Sequence, residues 1–299
     1  MIAKPEASRS LELWLLLLAN FAGASSALLI KASTIHPILQ ASYRQLFAGI
    51  ILLPFFFREL KRSGLRFTPR LVLPSLLPGI VLGLHFIAWI FGARMTLAGN
   101  ATVISTMVPV AMPFLVFFMT KELPRRAEVI GTLLALGGIV ILAIFDFRLE
   151  PGHFGGDLVC FVAMLFYAVY LALARRNAPA EGIFLYLVPL YLIGGAFDLL
   201  VSLPFAHPIR GITLTDLVMT LGLALGPTIV GHSLMNRAMT KLPPQIVSLF
   251  NLTQFLVAAV LAFFLFGEMP TAEFGVASLF IVAGVAIPVL SRGRPLPAD

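Results

Sequence analysis

Charge is what this chain has least of. Asp, Glu, Lys and Arg make up 12% of its 299 residues, where a soluble domain carries roughly 25%. Hydrophobic side chains account for 59%, and the mean hydropathy is +0.98. Together these exclude a soluble globular enzyme, a disordered chain and a secreted disulfide scaffold. Cysteine is nearly absent: Cys160 stands alone, so there is no internal disulfide and no four-cysteine zinc or iron–sulfur site. Long polar stretches are missing too. The longest, Arg58–Arg70, Asp146–Gly156 and Pro204–Thr215, are too short to be soluble domains. There is no phosphate-cradling loop, no His-Glu-x-x-His pair, no acidic cluster for magnesium–diphosphate and no Gly-x-Ser-x-Gly elbow. No cofactor and no metal are expected.

What is present is apolar sequence in long runs. A bilayer span takes about 20 such residues. Breaks at charged or Pro/Gly-rich stretches leave apolar segments at 13–32, 37–57, 71–93, 99–120, 128–146, 157–174, 182–203, 215–236, 243–266 and 272–291. Segments of this kind are helices, because lipid offers the backbone no hydrogen-bond partner. The strict alternation of barrel strands is absent. The first run ends in Ala22-Gly23-Ala24-Ser25, which could also be read as a signal-peptide cleavage site, but the repeat described below needs this run as a span.

The basic residues fix an orientation. With the N-terminus cytoplasmic, 16 of the 21 Lys and Arg fall in inside segments and 4 outside; the last, Arg44, is within span 2. This positive-inside bias predicts an even number of spans with both termini cytoplasmic in an inner membrane. It also accounts for the net charge of +7 and the pI near 10.0 without nucleic acid.

The chain resembles itself. Leu115–Gly138 aligns with the sequence 146 positions later: Leu115/Leu261, Phe117/Phe263, Phe118/Phe264, Glu122/Glu268, Pro124/Pro270, Leu133/Leu279 and Gly138/Gly284. Apolar matches are cheap here, but the Glu-x-Pro turns are not. Upstream, a shift of 145 pairs Leu13/Leu158, Ala27/Ala172, Leu28/Leu173, Ala93/Ala238 and Leu97/Leu242. Residues 1–148 and 149–299 therefore read as two copies of one five-span unit. Five is odd, so the second copy inserts upside down. Inverted repeats are a transporter architecture with the substrate site near the midplane, between the halves.

At these residues the sequence resembles the ten-helix EamA-type branch of the drug/metabolite transporter superfamily. The resemblance rests on Tyr43-Arg44, Ala93–Asn100, Pro109, Glu122 and Gly137-Gly138 in the first half, and on Ala238–Pro244, Glu268 and Gly284 in the second. It departs at Gln254, where the counterpart of Pro109 would fall, and at Pro189, opposite Arg44. It implies an all-α integral membrane protein of ten transmembrane helices in two inverted five-helix repeats, alternating access, and export of small metabolites or amino acids. It says almost nothing about which substrate.

Polar groups at membrane depth are costly and usually face the bundle interior, so they are the site candidates. Arg44 could grip a carboxylate through its planar fork, or it could bond helix carbonyls. His85, with Trp89 one turn on, and His232 are near-equivalents across the repeat. They could bind an anion or carry a proton, or each could tie a backbone carbonyl. Asn20, Asn251 and Gln254 could hold both ends of an amino acid or cross-link helices. Tyr167 and Tyr170, three apart on span 6, could stack on a flat substrate with Trp89, or simply pack. Asn100 and Asn236 read as helix caps, Trp14 as an interface anchor, and Glu122 and Glu268 as structural. Asp198 sits near the outer end of span 7, where water is expected to reach it, so proton coupling through a buried carboxylate has no support at this level.

The leading expectation is a secondary transporter, an exporter of small polar metabolites, amino acids foremost, working in the lipid bilayer as a monomer or weak homodimer. The alternatives are a channel or passive scaffold, and an intramembrane enzyme.

Overall fold

The structure is a computed structural model that describes residues 5–96, 98–145, 152–178, 182–266 and 272–291. The described residues are helical throughout, apart from short turns. In chain order the first half runs α1 (Pro5–Ala24), α2 (Ser26–Lys31), α3 (Pro37–Ser63), α4 (Pro69–Val72), α5 (Leu76–Met95), α6 (Ala98–Thr106), α7 (Val108–Thr120) and α8 (Arg126–Phe145). The second runs α9 (Phe154–Asn177), α10 (Phe184–Ser202), α11 (Leu214–Leu223), a π-helical stretch Ala224–His232, α12 (Ser233–Lys241), α13 (Pro244–Asn251), α14 (Thr253–Phe266) and α15 (Ala272–Ser291). Eight of the resulting segments are long and apolar enough to cross a membrane, and Pro244–Ala258 is a shorter apolar run. The apolar segments expected from the sequence are helical among the described residues, several of them (13–32, 99–120, 215–236 and 243–266) as two or more consecutive helices.

Polarity is arranged for lipid. Trp14, Phe118, Phe264, Leu279 and Leu290 are exposed, while Asn20, Gln40, Arg44, Gln45, Asp198 and Asn236 are buried. The polar minority lies between helices because lipid cannot solvate it. The exposed position of Trp14 fits the anchor reading.

The two halves are related by reciprocal contacts. Along α3 and α10, rising numbers meet falling ones: Ser42 Oγ donates to Gly195 O, and Glu59 accepts from the Phe184 and Leu185 amides. These counterpart helices are therefore antiparallel, which is the upside-down insertion expected from the odd span count. A Cβ built on Gly49 would come within 2.7 Å of Leu192, and one on Gly195 within 2.8 Å of Leu46. A shift of 146 positions exchanges these two contacts. The same holds for α8 and α15: Gly138 approaches Ala277 O and Ile281, and Gly284 approaches Gly131 O and Ala135. Self-complementary contacts of this kind are the signature of a two-fold axis. They also set the register between α3 and α10. At 146 rather than 145, the residue opposite Arg44 is Leu190, not Pro189. The Glu268-Met269-Pro270 turn lies outside the described residues.

Helix interruptions fall where the sequence places proline, glycine or a hydroxyl. Pro227 has no N–H to give Leu223 O, so the helix widens into a π stretch. The freed carbonyl is taken by Thr228 Oγ1 at 2.9 Å. Pro109 marks the break between α6 and α7. The matching break between α13 and α14 has no proline. There Phe250 O accepts instead from Thr253 Oγ1 at 2.7 Å and from Asn20 Nδ2 at 2.8 Å.

Candidate functional site

The interrupted helices converge on one central chamber. Its cavity measures about 50 Å³, smaller than the usual small-molecule site, so a substrate needs the wall to move apart. Both halves supply its wall. Seven of the nine residues singled out from the sequence line it: Arg44, His85, Trp89, Tyr167, His232, Asn251 and Gln254.

Arg44 is the most unusual of them. It is 1% exposed. Its Nε donates to Thr228 Oγ1 at 3.0 Å, the hydroxyl that patches the π stretch, and its guanidinium carbon lies 3.8 Å above the Phe86 ring centroid. Both terminal nitrogens, Nη1 and Nη2, are buried with no hydrogen-bond partner. A buried fork of donors without a protein partner is unfavourable, and a planar anion is the shape that completes it. Thr228 and Phe86 orient the fork without satisfying it.

The aromatic wall is continuous. His85 stacks on Tyr167 at 4.9 Å and lies 5.9 Å from His232. His232 meets Phe86 and Tyr167 at 4.8 and 5.3 Å. His85 Nδ1 donates to Ala163 O at 2.8 Å, which fixes its tautomer and leaves Nε2 as an acceptor. His232 Nδ1 is buried and unpartnered. The near-equivalence of the two His predicted across the repeat thus becomes direct adjacency. Trp89 Nε1 donates to Ser26 Oγ at 3.2 Å.

On the far side, Gln254 Nε2 lies 3.4 Å from Asn251 Oδ1. Gln254 reaches this place only because residue 23 is glycine: a Cβ there would fall 2.3 Å from Gln254 Nε2. Gly23→Ala is therefore expected to turn the Gln254 amide out of the chamber. The expected outcome is normal expression and insertion with transport lowered about tenfold, as befits one displaced hydrogen-bonding group worth ~1–1.5 kcal/mol. Paired flux and surface-abundance measurements check this.

The remaining two candidates stand behind the wall. Asn20 is fully buried, and its Nδ2 bridges Leu16 O at 2.9 Å and Phe250 O at 2.8 Å, stitching α1 to the break in α13–α14. Tyr170 packs under Tyr167 at 5.9 Å, and its hydroxyl accepts from Asn236 Nδ2. Asn236 also donates to His232 O at 2.6 Å, so it is a cross-link rather than the expected cap. Asn100 likewise reaches across, to Asp157 Oδ1 at 3.4 Å. Glu122 pairs with Arg175 at 3.2 Å, one of the structural roles expected of it. The larger correction is Asp198. It is fully buried, not wet, and its Oδ2 accepts from Gln45 Nε2 at 2.7 Å.

Sequence reasoning missed Thr228, Phe86, Ser26, Ser105 and Met235 as wall or support. Thr228 carried a usable signal: a hydroxyl directly after a mid-span proline. The others look like ordinary membrane sequence. Among the described residues no group of three or more His, Cys, Asp or Glu could hold a metal.

Comparison with known proteins agrees with this architecture. The family model described as "EamA-like transporter family" matches residues 10–144 and again 154–290. No curated protein matches the chain. A solved structure titled only "Crystal structure of protein" superposes with a TM-score of 0.73 at 18% identity, over 94% of this chain and 98% of that one. At that identity the likeness speaks for the fold alone.

Proposed function

Because the chain belongs to the EamA-like transporter family, and so to the drug/metabolite transporter superfamily, we propose that it carries small carboxylate-bearing metabolites, amino acids foremost, across a cell's inner membrane by alternating access. Membership makes it a multi-pass membrane transporter; the substrate and the mechanism are our reading. The observation that carries it is the unpartnered fork of Arg44 in a chamber to which both halves contribute. A carboxylate is planar, anionic and matched to that fork in bidentate fashion. The ring stack of His85, Tyr167 and His232 suits a flat or bulky substrate body, and the Asn251/Gln254 amides suit an amino group. Export driven by the substrate's own gradient, with both termini cytoplasmic and the protein acting as a monomer or weak homodimer, completes the proposal.

The test is uptake into proteoliposomes of labelled amino acids, L-phenylalanine among them, against the matching amides. Saturable flux of acids with little flux of amides is expected. Equal flux of both, or none across a broad carboxylate panel, would remove the reading. A channel would instead give bilayer conductance that does not saturate. In the same assay His85→Ala and Asn251→Ala are expected to lower flux roughly tenfold each without lowering insertion. Wild-type flux in both would take those two residues out of the site.

A further inference from the structure

Asp198 is a carboxylate with no counter-ion in contact. It lies on α10, fully buried. Gln45 Nε2 holds its Oδ2 at 2.7 Å, and its Oδ1 has no hydrogen-bond partner. The surrounding elements are specific about what faces it. From α3 come Gln45, in contact, and Arg44, the residue before it on the same helix. From α5 comes Gly83, where a Cβ would stand 2.5 Å from Oδ1; His85 and Arg94 on that helix are bonded elsewhere, to Ala163 O and to Ile35 O and Gln40. In the short turn after α4, Ser75 donates to Tyr186 O. On α10 itself Tyr191 is engaged with Thr228 O and Ser233. Arg44 is thus the charge that Asp198 answers to, and Arg44 in turn has two open donors in the chamber.

A buried carboxylate stays ionised only while a nearby cation offsets the loss of water; otherwise it takes a proton. Arg44 can offset one anion well, not two. We propose that Asp198 is the proton carrier of the transport cycle: when a substrate carboxylate occupies the Arg44 fork, Asp198 binds a proton from the aqueous side facing the chamber, so that one carboxylate and one proton move together. The proton adds to a carboxylate oxygen of Asp198 and leaves from it on the other side; no covalent bond is made or broken in the substrate. Summed over Arg44, Asp198 and the substrate carboxylate, the charge is the same loaded or empty; an amino acid's ammonium adds one positive charge, so its transport with a proton is electrogenic. This rests on the carboxylate reading of Arg44 given above, and it adds a coupled proton to that reading.

The experiment is infrared titration of the protonated-carboxyl C=O band in reconstituted full-length protein, with L-phenylalanine as the probe. Three results are expected. In wild type, adding L-phenylalanine at fixed neutral pH raises the band. In Arg44→Gln, with the cation gone, the band is present without any addition and persists to higher pH. In Asp198→Asn the band is lost, and a pH gradient no longer drives L-phenylalanine accumulation, while exchange at equal pH continues. If Asp198→Asn does not insert, the Arg44→Gln comparison decides alone. Identical carboxyl titrations in wild type and Arg44→Gln overturn the proposal. So does L-phenylalanine that raises thermal stability yet leaves the band unmoved; in that case the carboxylate reading survives and proton coupling does not. A protein whose stability no carboxylate shifts loses the carboxylate reading, and the coupling with it.

Discussion

Arg44→Gln is expected to abolish carboxylate transport while leaving the protein as stable as wild type, or more so. The two effects point opposite ways because they come from different parts of the side chain. Arg44 makes one protein hydrogen bond, through Nε to Thr228, and keeps Nη1 and Nη2 unpaired. Burying such a charge costs several kcal/mol in the empty protein, and a neutral side chain of similar length relieves that cost once Asp198, its cation gone, has taken up a proton. With a carboxylate bound the balance reverses. Removing one partner of a desolvated, hydrogen-bonded charge pair costs ~2–5 kcal/mol. At about 1.4 kcal/mol per decade, that is a loss of about 30-fold or more in apparent affinity. Thermal unfolding in detergent and concentration-dependent flux, measured on one preparation, give both numbers. A marked loss of stability would instead make Arg44 a structural cross-link, the competing reading its sequence position left open.

Gly284→Ala is expected to do the reverse: lower stability sharply, with little effect on substrate affinity in the protein that does fold. The obstacle is backbone. A Cβ at residue 284 would stand 2.5 Å from Gly131 O and 2.8 Å from Ala135, and a carbonyl in a helix cannot rotate aside. Overpacking costs typically 1–3 kcal/mol, and this contact belongs at the upper end, so the melting temperature is expected to fall by several degrees. Gly131→Ala meets the reciprocal obstacle, Gly284 O at 2.3 Å. One widening of the α8–α15 seam accommodates both methyls, so the double variant is expected to lose less than the sum of the singles. Strictly additive losses would mean that the two glycines do not face each other across a shared axis.

These two residues also mark where sequence reasoning works and where it stops. Span positions were legible because the apolar runs are long and lipid permits only helices there. The duplication was legible through Glu122/Glu268 and Gly138/Gly284, since glycine and turn residues resist drift that apolar positions tolerate. Seven of nine site candidates share one chamber because a polar group in a span must turn inward. Turning inward does not tell cavity from seam, however. Asn20 and Tyr170 obeyed the same rule and ended between helices. Asp198 was misjudged for a related reason. Distance along a helix from its end measures depth, but burial there depends on α3 and α5 packing over it, which no single helix encodes. The 146 register between α3 and α10 was equally invisible, because the five upstream pairs that suggested 145 all lie outside those two helices.

The central claim is that one chamber between two inverted halves opens to each side of the membrane in turn. It is tested most directly by thiol accessibility at its wall. Cys160 is buried and is the chain's lone cysteine, so Cys160→Ala provides a clean background, and Ser105→Cys places a probe in the chamber lining. With a membrane-impermeant thiol reagent applied to one side at a time, labelling is expected from either side, and L-phenylalanine is expected to slow both reactions. A thiol that reacts from one side only, under every condition including transport, or from neither, contradicts the account.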